Sequence, residues 1–265
     1  MFKVSLKEWM PLYEEIAREL NLSPAEDRRA TRLLSSLLEG KACSPLDIES
    51  ALGGRRAVVF GAGPSLEPFL DSVALRELRE RFVLLAADGA TSALLERGVA
   101  PHVICTDLDG RVEDQAASSS LGSLLVVHAH GDNVPALERF VPSLKGRVIG
   151  STQVEPMPHV YNFGGFTDGD RCAFLALWGG ARGALLVGMD LGPKVGRYSK
   201  PWLRGGVEAW GRKAAKLRIA KRLLEWLAQR SRAELWAVGD VELEGIAKLG
   251  PDGLAKLGVP IVAWS

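Results

Sequence analysis

The sequence predicts a doubly wound α/β fold with a mostly parallel sheet, and two observations carry that prediction. From Arg55 onward, short apolar runs alternate with helical stretches: AVVFGAG, FVLLAADGA, VICTDLDG, SLLVVHAHGD, RVIGSTQ and ALLVGMD. Continuous runs of about four to six apolar residues suit strands buried on both faces, and their alternation with helices selects parallel pairing. An α+β arrangement with some antiparallel strands is the alternative. The second observation is how the runs end. Nearly every run ends in small and acidic residues: Gly61-Ala62-Gly63, Asp88-Gly89, Asp107-Leu108-Asp109-Gly110, His130-Gly131-Asp132-Asn133 and Gly188-Met189-Asp190. The carboxyl ends of parallel strands share one edge of the sheet, and ligands bind in the crevice outside it. These residues are therefore expected to meet in space although they lie far apart in the chain.

Residues 1–52 read as a helical N-terminal cap. Leu6, Trp9, Tyr13, Ile16 and Leu20 recur at helical spacing. Ser23-Pro24 with Glu26 marks a second helix start, and Gly40 its end, after Leu33, Leu34, Leu37 and Leu38. Residues 53–265 then form the α/β catalytic domain, with a basic helical segment near 194–232. That segment carries Lys194, Arg197, Lys200, Arg204, Arg212, Lys213, Lys216, Arg218, Lys221 and Arg222 above an apolar stripe of Trp210, Leu217, Ala220, Leu224 and Leu227. A solvated amphipathic helix accounts for it. So does a basic flap over phosphates, preceded by a loop containing Gly and Pro.

Composition narrows the function classes. A net charge of +1 argues against a protein that coats nucleic acid or an anionic membrane. The three cysteines, Cys43, Cys105 and Cys172, have neither metal-binding spacing nor an even count, which fits a reducing compartment. No signal-peptide core and no run of about 18 apolar residues occurs, so a cytoplasmic location with no membrane partner is expected. The sequence leaves room for a homo-oligomer and does not specify one.

Several segments could do chemistry. Gly61-Ala62-Gly63-Pro64-Ser65-Leu66 follows a strand and opens a helix, where glycines admit a close ligand and free amides favour phosphate. It is neither a full dinucleotide fingerprint nor a P-loop, and a structural turn explains it equally. In Asp107-Leu108-Asp109-Gly110, residues two apart on an extended strand end point the same way, so both carboxylates can face one magnesium ion. Two turn-forming aspartates before a glycine are the bland alternative. His130, Asp132 and Asn133 are placed to contact substrate or metal-bound water, and a zinc site on His128 and His130 lacks a third ligand. In Tyr161-Asn162-Phe163-Gly164-Gly165-Phe166-Thr167-Asp168-Gly169-Asp170-Arg171, Thr167 or Asp168 caps a helix, or Phe163 and Phe166 beside the glycines form a slot for an aromatic ring. Cys105 and Cys172 have no neighbouring base and read as core.

Taken together, GAGPSL at 61–66, ADGA at 87–90, TDLDG at 106–110, HAHGDN at 128–133 and NFGGFTDGDR at 162–171 resemble the archaeal-type 6-hydroxymethyl-7,8-dihydropterin pyrophosphokinases, the MptE-like family. The resemblance covers neither the N-terminal helices nor the C-terminal part. It implies a catalytic core similar to thiamin pyrophosphokinase and transfer of diphosphate from ATP to a primary hydroxyl, releasing AMP. It also implies Mg2+ held by Asp107 and Asp109, with Asp88 and Asp132 next on the rim. Nucleotide contacts are expected from Gly61, Gly63, Pro64, Ser65, Asp88 and Gly89, with Lys194, Arg197 and Lys213 as phosphate clamps. Asp168 and Asp170 would bind a second metal or take the hydroxyl proton, and Asn162, Gly164, Gly165 and Thr167 would meet the pterin. Thiamin pyrophosphokinase and sugar-nucleotide glycosyl transfer are alternatives on the same core. A non-catalytic nucleotide sensor is a third, disfavoured because a binder of anions gains little from so many carboxylates without a metal.

Overall fold

The structure is a computed structural model and describes residues 2–264. Nine strands form one sheet: β1 (Arg56–Phe60), β2 (Val83–Ala87), β3 (Val103–Thr106), β4 (Leu124–Ala129), β5 (Val148–Thr152), β6 (Val160–Tyr161), β7 (Gly183–Val187), β10 (Glu234–Ala237) and β11 (Ala247–Lys248). Their order is β11-β10-β7-β1-β2-β3-β4-β5-β6, and every pairing is parallel. The fold expected from the sequence is therefore present, without the antiparallel strands of the alternative in this sheet. β8 (Lys194–Val195) and β9 (Val207–Glu208) pair as a separate antiparallel ribbon. The chain winds outward from β1 to β6 and then returns to place β7 on the other side of β1. The topological switch thus falls between β1 and β7.

Each strand feeds two cores through its alternating side chains. Ala57, Val59, Leu85, Val126 and Leu186 face one layer, made by α1 (Leu6–Leu20), α3 (Pro45–Leu52), α9 (Asp168–Trp178) and α10 (Gly211–Arg230). On the opposite face Val58, Phe60, Leu84 and Leu185 pack under α4 (Leu66–Ser72), α5 (Leu75–Arg81), α6 (Ala90–Leu95) and α11 (Pro251–Leu257). Farther along that face Ile104, Leu125 and Val127 meet α2 (Pro24–Leu37) and α8 (Val134–Phe140). The remaining helix, α7 (Val112–Ser120), follows β3. Phe174 on α9 is almost wholly buried between Trp9 and Trp226, and truncating such a side chain costs about 3–5 kcal/mol.

The N-terminal helices start as the sequence requires. Ser5 and Glu8 form a capping box on α1, and Ser23 caps α2 ahead of Pro24. They do not sit apart from the sheet. α1 and α3 belong to one face and α2 to the other, and Ala42 bridges to Val148 on β5. The two-residue β6, β8, β9 and β11 are too short to leave a periodic signal, and β10 is a mixed Glu-Leu-Trp-Ala segment next to the sheet edge. No described helix is long and apolar enough to cross a membrane.

Candidate functional site

The ends of β2 and β3 bring three carboxylates together. Asp88, just past β2, adopts φ +42°, and its Oδ1 accepts from the Thr106 hydroxyl (2.8 Å) and from Gln115 Nε2 (2.7 Å). One oxygen is thereby fixed and the other left free. Past β3 the backbone is not extended, as the alternation of side chains would require. Leu108 turns into the left-handed region at φ +66° and buries its side chain, and this turn brings Asp107 and Asp109 round to the same side. The Asp109 amide donates to Asp107 Oδ1 (3.2 Å). A Cβ on Gly110 would lie 2.8 Å from Asp88 Cγ, so only glycine lets this turn pass so close to that carboxylate. One oxygen from each of Asp88, Asp107 and Asp109 lies within 4.8 Å of the others. An all-carboxylate set suits a hard divalent cation such as magnesium.

The neighbours tune this cluster unequally. Burial, then Asp107 and Asp109, push the Asp88 carboxyl up to about 7. Burial would also raise Asp107, but His130, Lys200 and Arg171 outweigh it and hold it below the ordinary carboxylate range. His130 Nε2 lies 3.4 Å from Asp107 Oδ2, and Asn133 Nδ2 donates to the carbonyls of Asp107 (2.9 Å) and His128 (2.7 Å), tying the two turns together. His128 faces away, buried against Ser151.

The start of α9 forms the floor. Thr167 is its N-cap in a capping box with Asp170, which also accepts from the Phe166 amide (2.6 Å). Asp168, one residue into the helix, points to the site, 3.4 Å from Arg171, and burial together with Asp107 pushes its carboxyl well above the usual range. The roof is basic. Lys200 pairs with Asp109, Arg212 lies 3.6 Å from Asp132, and Lys213 and Lys216 project from α10. Burial, then Lys200, lowers the Lys213 ammonium. The segment carrying Lys200 is seated on the glycine turns: the Gly196 amide donates to the Ala62 carbonyl (3.0 Å), and the Tyr198 carbonyl leaves no room for a Cβ at Gly89.

Floor, rim and roof enclose a cavity of about 450 Å³. Of the residues given a catalytic, metal or binding role from the sequence, Gly61, Gly63, Asp88, Gly89, Asp107, Asp109, His130, Asp132, Thr167, Asp168, Lys194 and Lys213 line it. Eight do not. Pro64 and Ser65 lie behind the turn, where the Ser65 amide and hydroxyl both donate to Asp190 Oδ2 (3.0 Å each), so this helix start already holds a carboxylate of the chain itself. Asn133 and Asp170 are spent on the turns just described. Arg197 pairs with Glu67 and Glu96 and stacks on Tyr198. Asn162 donates to the Val154 carbonyl (2.9 Å), Gly164 packs against Phe174, and Gly165 against the Arg171 backbone. Phe163 is likewise buried against Trp178, whereas Phe166 reaches the cavity.

The cavity wall also holds residues to which the sequence assigned no role, chiefly Asp27 and Gln153, and Arg171 at the end of the 162–171 motif. A signal for Asp27 was present. It falls on the stripe of Ala30, Thr31 and Leu34, and a carboxylate on the buried face of a helix calls for donors from elsewhere in the fold.

Residues 30–196 match the protein family described as 6-hydroxymethylpterin diphosphokinase MptE-like. Three curated relatives carry the name 6-hydroxymethyl-7,8-dihydropterin pyrophosphokinase. The protein from Pyrococcus furiosus is 46% identical over 86% of this chain and 96% of its own length. That from Methanothermobacter thermautotrophicus is 41% identical over 86% and 98%, and that from Methanocaldococcus jannaschii 36% identical over 87% and 99%. Among solved structures, the Maf glycosyltransferase of Magnetospirillum magneticum AMB-1 overlays 86% of this chain and 42% of its own at 18% identity, with a TM-score of 0.49.

Proposed function

The chain belongs to the MptE-like family of 6-hydroxymethylpterin diphosphokinases, and we propose that it transfers a diphosphate group from ATP to the hydroxymethyl oxygen of 6-hydroxymethyl-7,8-dihydropterin. The observation that carries this reading is the convergence of Asp88, Asp107 and Asp109 beneath Lys200, Lys213 and Lys216 in one cavity. Transfer of this kind needs positioning and charge neutralisation more than a covalent nucleophile. A magnesium ion held by the three carboxylates would neutralise charge on the phosphate oxygens.

The chain's own groups supply the rest. The acceptor oxygen attacks the β-phosphorus, the bond from that phosphorus to the α,β-bridging oxygen breaks, and AMP leaves as the hydroxyl proton is given up. Asp168 suits the role of proton acceptor, because it lines the cavity beside the acidic cluster and Arg171 lies 3.4 Å from its carboxylate. Lys213 and Lys216 face the transferred group from above. Gly61 and Gly63 let the nucleotide approach the β1 turn, where the switch between β1 and β7 opens a crevice.

The test is AMP release from ATP and Mg2+ with the pterin, with thiamin, and with no acceptor. AMP and pterin diphosphate formed only with the pterin support the proposal. A folded protein that releases no AMP with any acceptor rules it out.

A further inference from the structure

Asp27 is 4% exposed, and no Lys or Arg pairs with it among the described residues. A buried carboxylate in that position persists only if hydrogen bonds replace its water. Three donors do so: Tyr13 Oη on α1 (2.6 Å), Gln153 Nε2 at the end of β5 (2.7 Å), and the backbone amide of Gly131 after β4 (2.7 Å).

Two of these donors lead straight to the reacting centre. Gly131 sits between His130, 3.4 Å from Asp107, and Asp132. Gln153 turns its other end outward: Oε1 accepts from Arg171 Nη2 (3.1 Å), and Arg171 Nη1 lies 3.4 Å from Asp168. A carboxylate only accepts and a guanidinium only donates, so the Gln153 amide has one orientation that serves both. We infer that Asp27 is a positioning residue of the active site, holding His130 through Gly131 and Arg171 through Gln153, one on each flank of the acidic cluster.

A purely architectural role, clamping α2 to β5, is the competing explanation, and the fold supplies its control. The Thr31 and Thr152 hydroxyls also join α2 to β5, at 2.7 Å and buried; Thr31 Oγ1 reaches only the backbone carbonyl of Asp27 (2.7 Å) and leaves its carboxylate, with the Gly131 and Gln153 arms, untouched. The experiment compares Asp27→Asn, Gln153→Ala and Thr31→Val in the full chain, measuring Tm, kcat, KM for ATP and the affinity for Mn2+ alone by calorimetry.

Asp27→Asn and Gln153→Ala are expected to lower kcat about tenfold or more and to weaken Mn2+ binding severalfold, with KM for ATP within about twofold of wild type. Thr31→Val is expected to lower Tm while keeping kcat and Mn2+ affinity. Combining the two site variants should cost less than the product of their separate effects, because they share one arm. A folded Asp27→Asn protein with wild-type kcat and Mn2+ affinity, or one that behaves as Thr31→Val does, overturns the inference. If Asp27→Asn does not fold, Gln153→Ala decides alone, and wild-type values there overturn it. The inference rests on the proposed reaction for its kinetic arm. If the wild type forms no pterin diphosphate, that reaction fails, while the Mn2+ comparison, made without acceptor or ATP, still decides the role of Asp27.

Discussion

Two stretches of the same sheet edge carry the same sequence signature and reach opposite physical states. At the ends of β2 and β3, Asp88, Asp107 and Asp109 gather around glycine turns with their charges facing one another across the cavity rim. At the ends of β1 and β7, Gly61, Gly63 and Gly188 also lie beside an aspartate, but Asp190 accepts the Ser65 amide and hydroxyl, and the Ser65 hydroxyl in turn accepts from the Gly188 amide (3.2 Å). In one region three carboxylates crowd within reach of a single ion. In the other the single carboxylate is satisfied by the chain. A glycine and an aspartate at a strand end therefore mark the ligand edge, and the donors around the carboxylate decide whether it serves ligand or fold.

The largest effect that follows falls on the unsatisfied side. Asp107→Asn is expected to lower kcat about a thousandfold, because charge neutralisation at the phosphates is the main catalytic task. Tm should fall modestly, since His130, Lys200 and Arg171 hold this carboxylate ionised and lose their anionic partner. Steady-state kinetics and thermal melts check both. A Tm that collapses while residual kcat stays high would mean that Asp107 holds the fold rather than the ion.

Glycine substitutions sharpen the contrast. A Cβ at Gly63 would stand 2.6 Å from the Gly188 carbonyl oxygen, a backbone contact that cannot step aside. Gly63→Ala is expected to cost about 1–3 kcal/mol of stability by overpacking, read from urea unfolding. A Cβ at Gly110 meets the Asp88 carboxylate instead. Gly110→Ala is expected to weaken Mn2+ binding more than it lowers stability. Equal stability losses in both would erase the distinction between a packed turn and a ligand turn.

Much of this edge was legible in the sequence because strand ends in a parallel sheet converge wherever the pattern of apolar runs is clear. The six apolar runs are β1, β2, β3, β4, β5 and β7, and their terminal residues meet as expected. The chain gave no means of telling Asp190 from Asp107, because the difference lies in donors from elsewhere: the Ser65 amide for one, and for the other none beyond the Asp109 amide and His130. The turn at Leu108 was equally hidden, since leucine in a left-handed conformation is held there by tertiary burial against its own local preference. Asp170, Asn162, Gly164 and Gly165 show the reverse case. Their motif is dense in polar and small residues, yet most of it builds the α9 cap and the close packing beneath it.

The comparison also sets a pH dependence. Asp88 titrates near 7 because burial and its two acidic neighbours favour the protonated form. Below that pH the proton must leave before a cation can bind, so affinity is expected to fall by about tenfold per pH unit and to level off above about 7. Calorimetry with Mn2+ between pH 5.5 and 8.5 (a range of about three units around the transition) measures the slope. A flat profile would show that Asp88 is already ionised or takes no part in the site.

The smallest expected effect is on the satisfied side. Asp190→Ala removes the acceptor of the Ser65 amide and hydroxyl. That is the loss of a helix-start partner, worth about 1 kcal/mol, since water reaches the freed donors of this partly buried turn. Mn2+ affinity should be unchanged, because Asp190 is not among the three carboxylates that converge. A variant that keeps its stability but loses Mn2+ binding would join Asp190 to the acidic cluster and merge the two halves of the edge into one site.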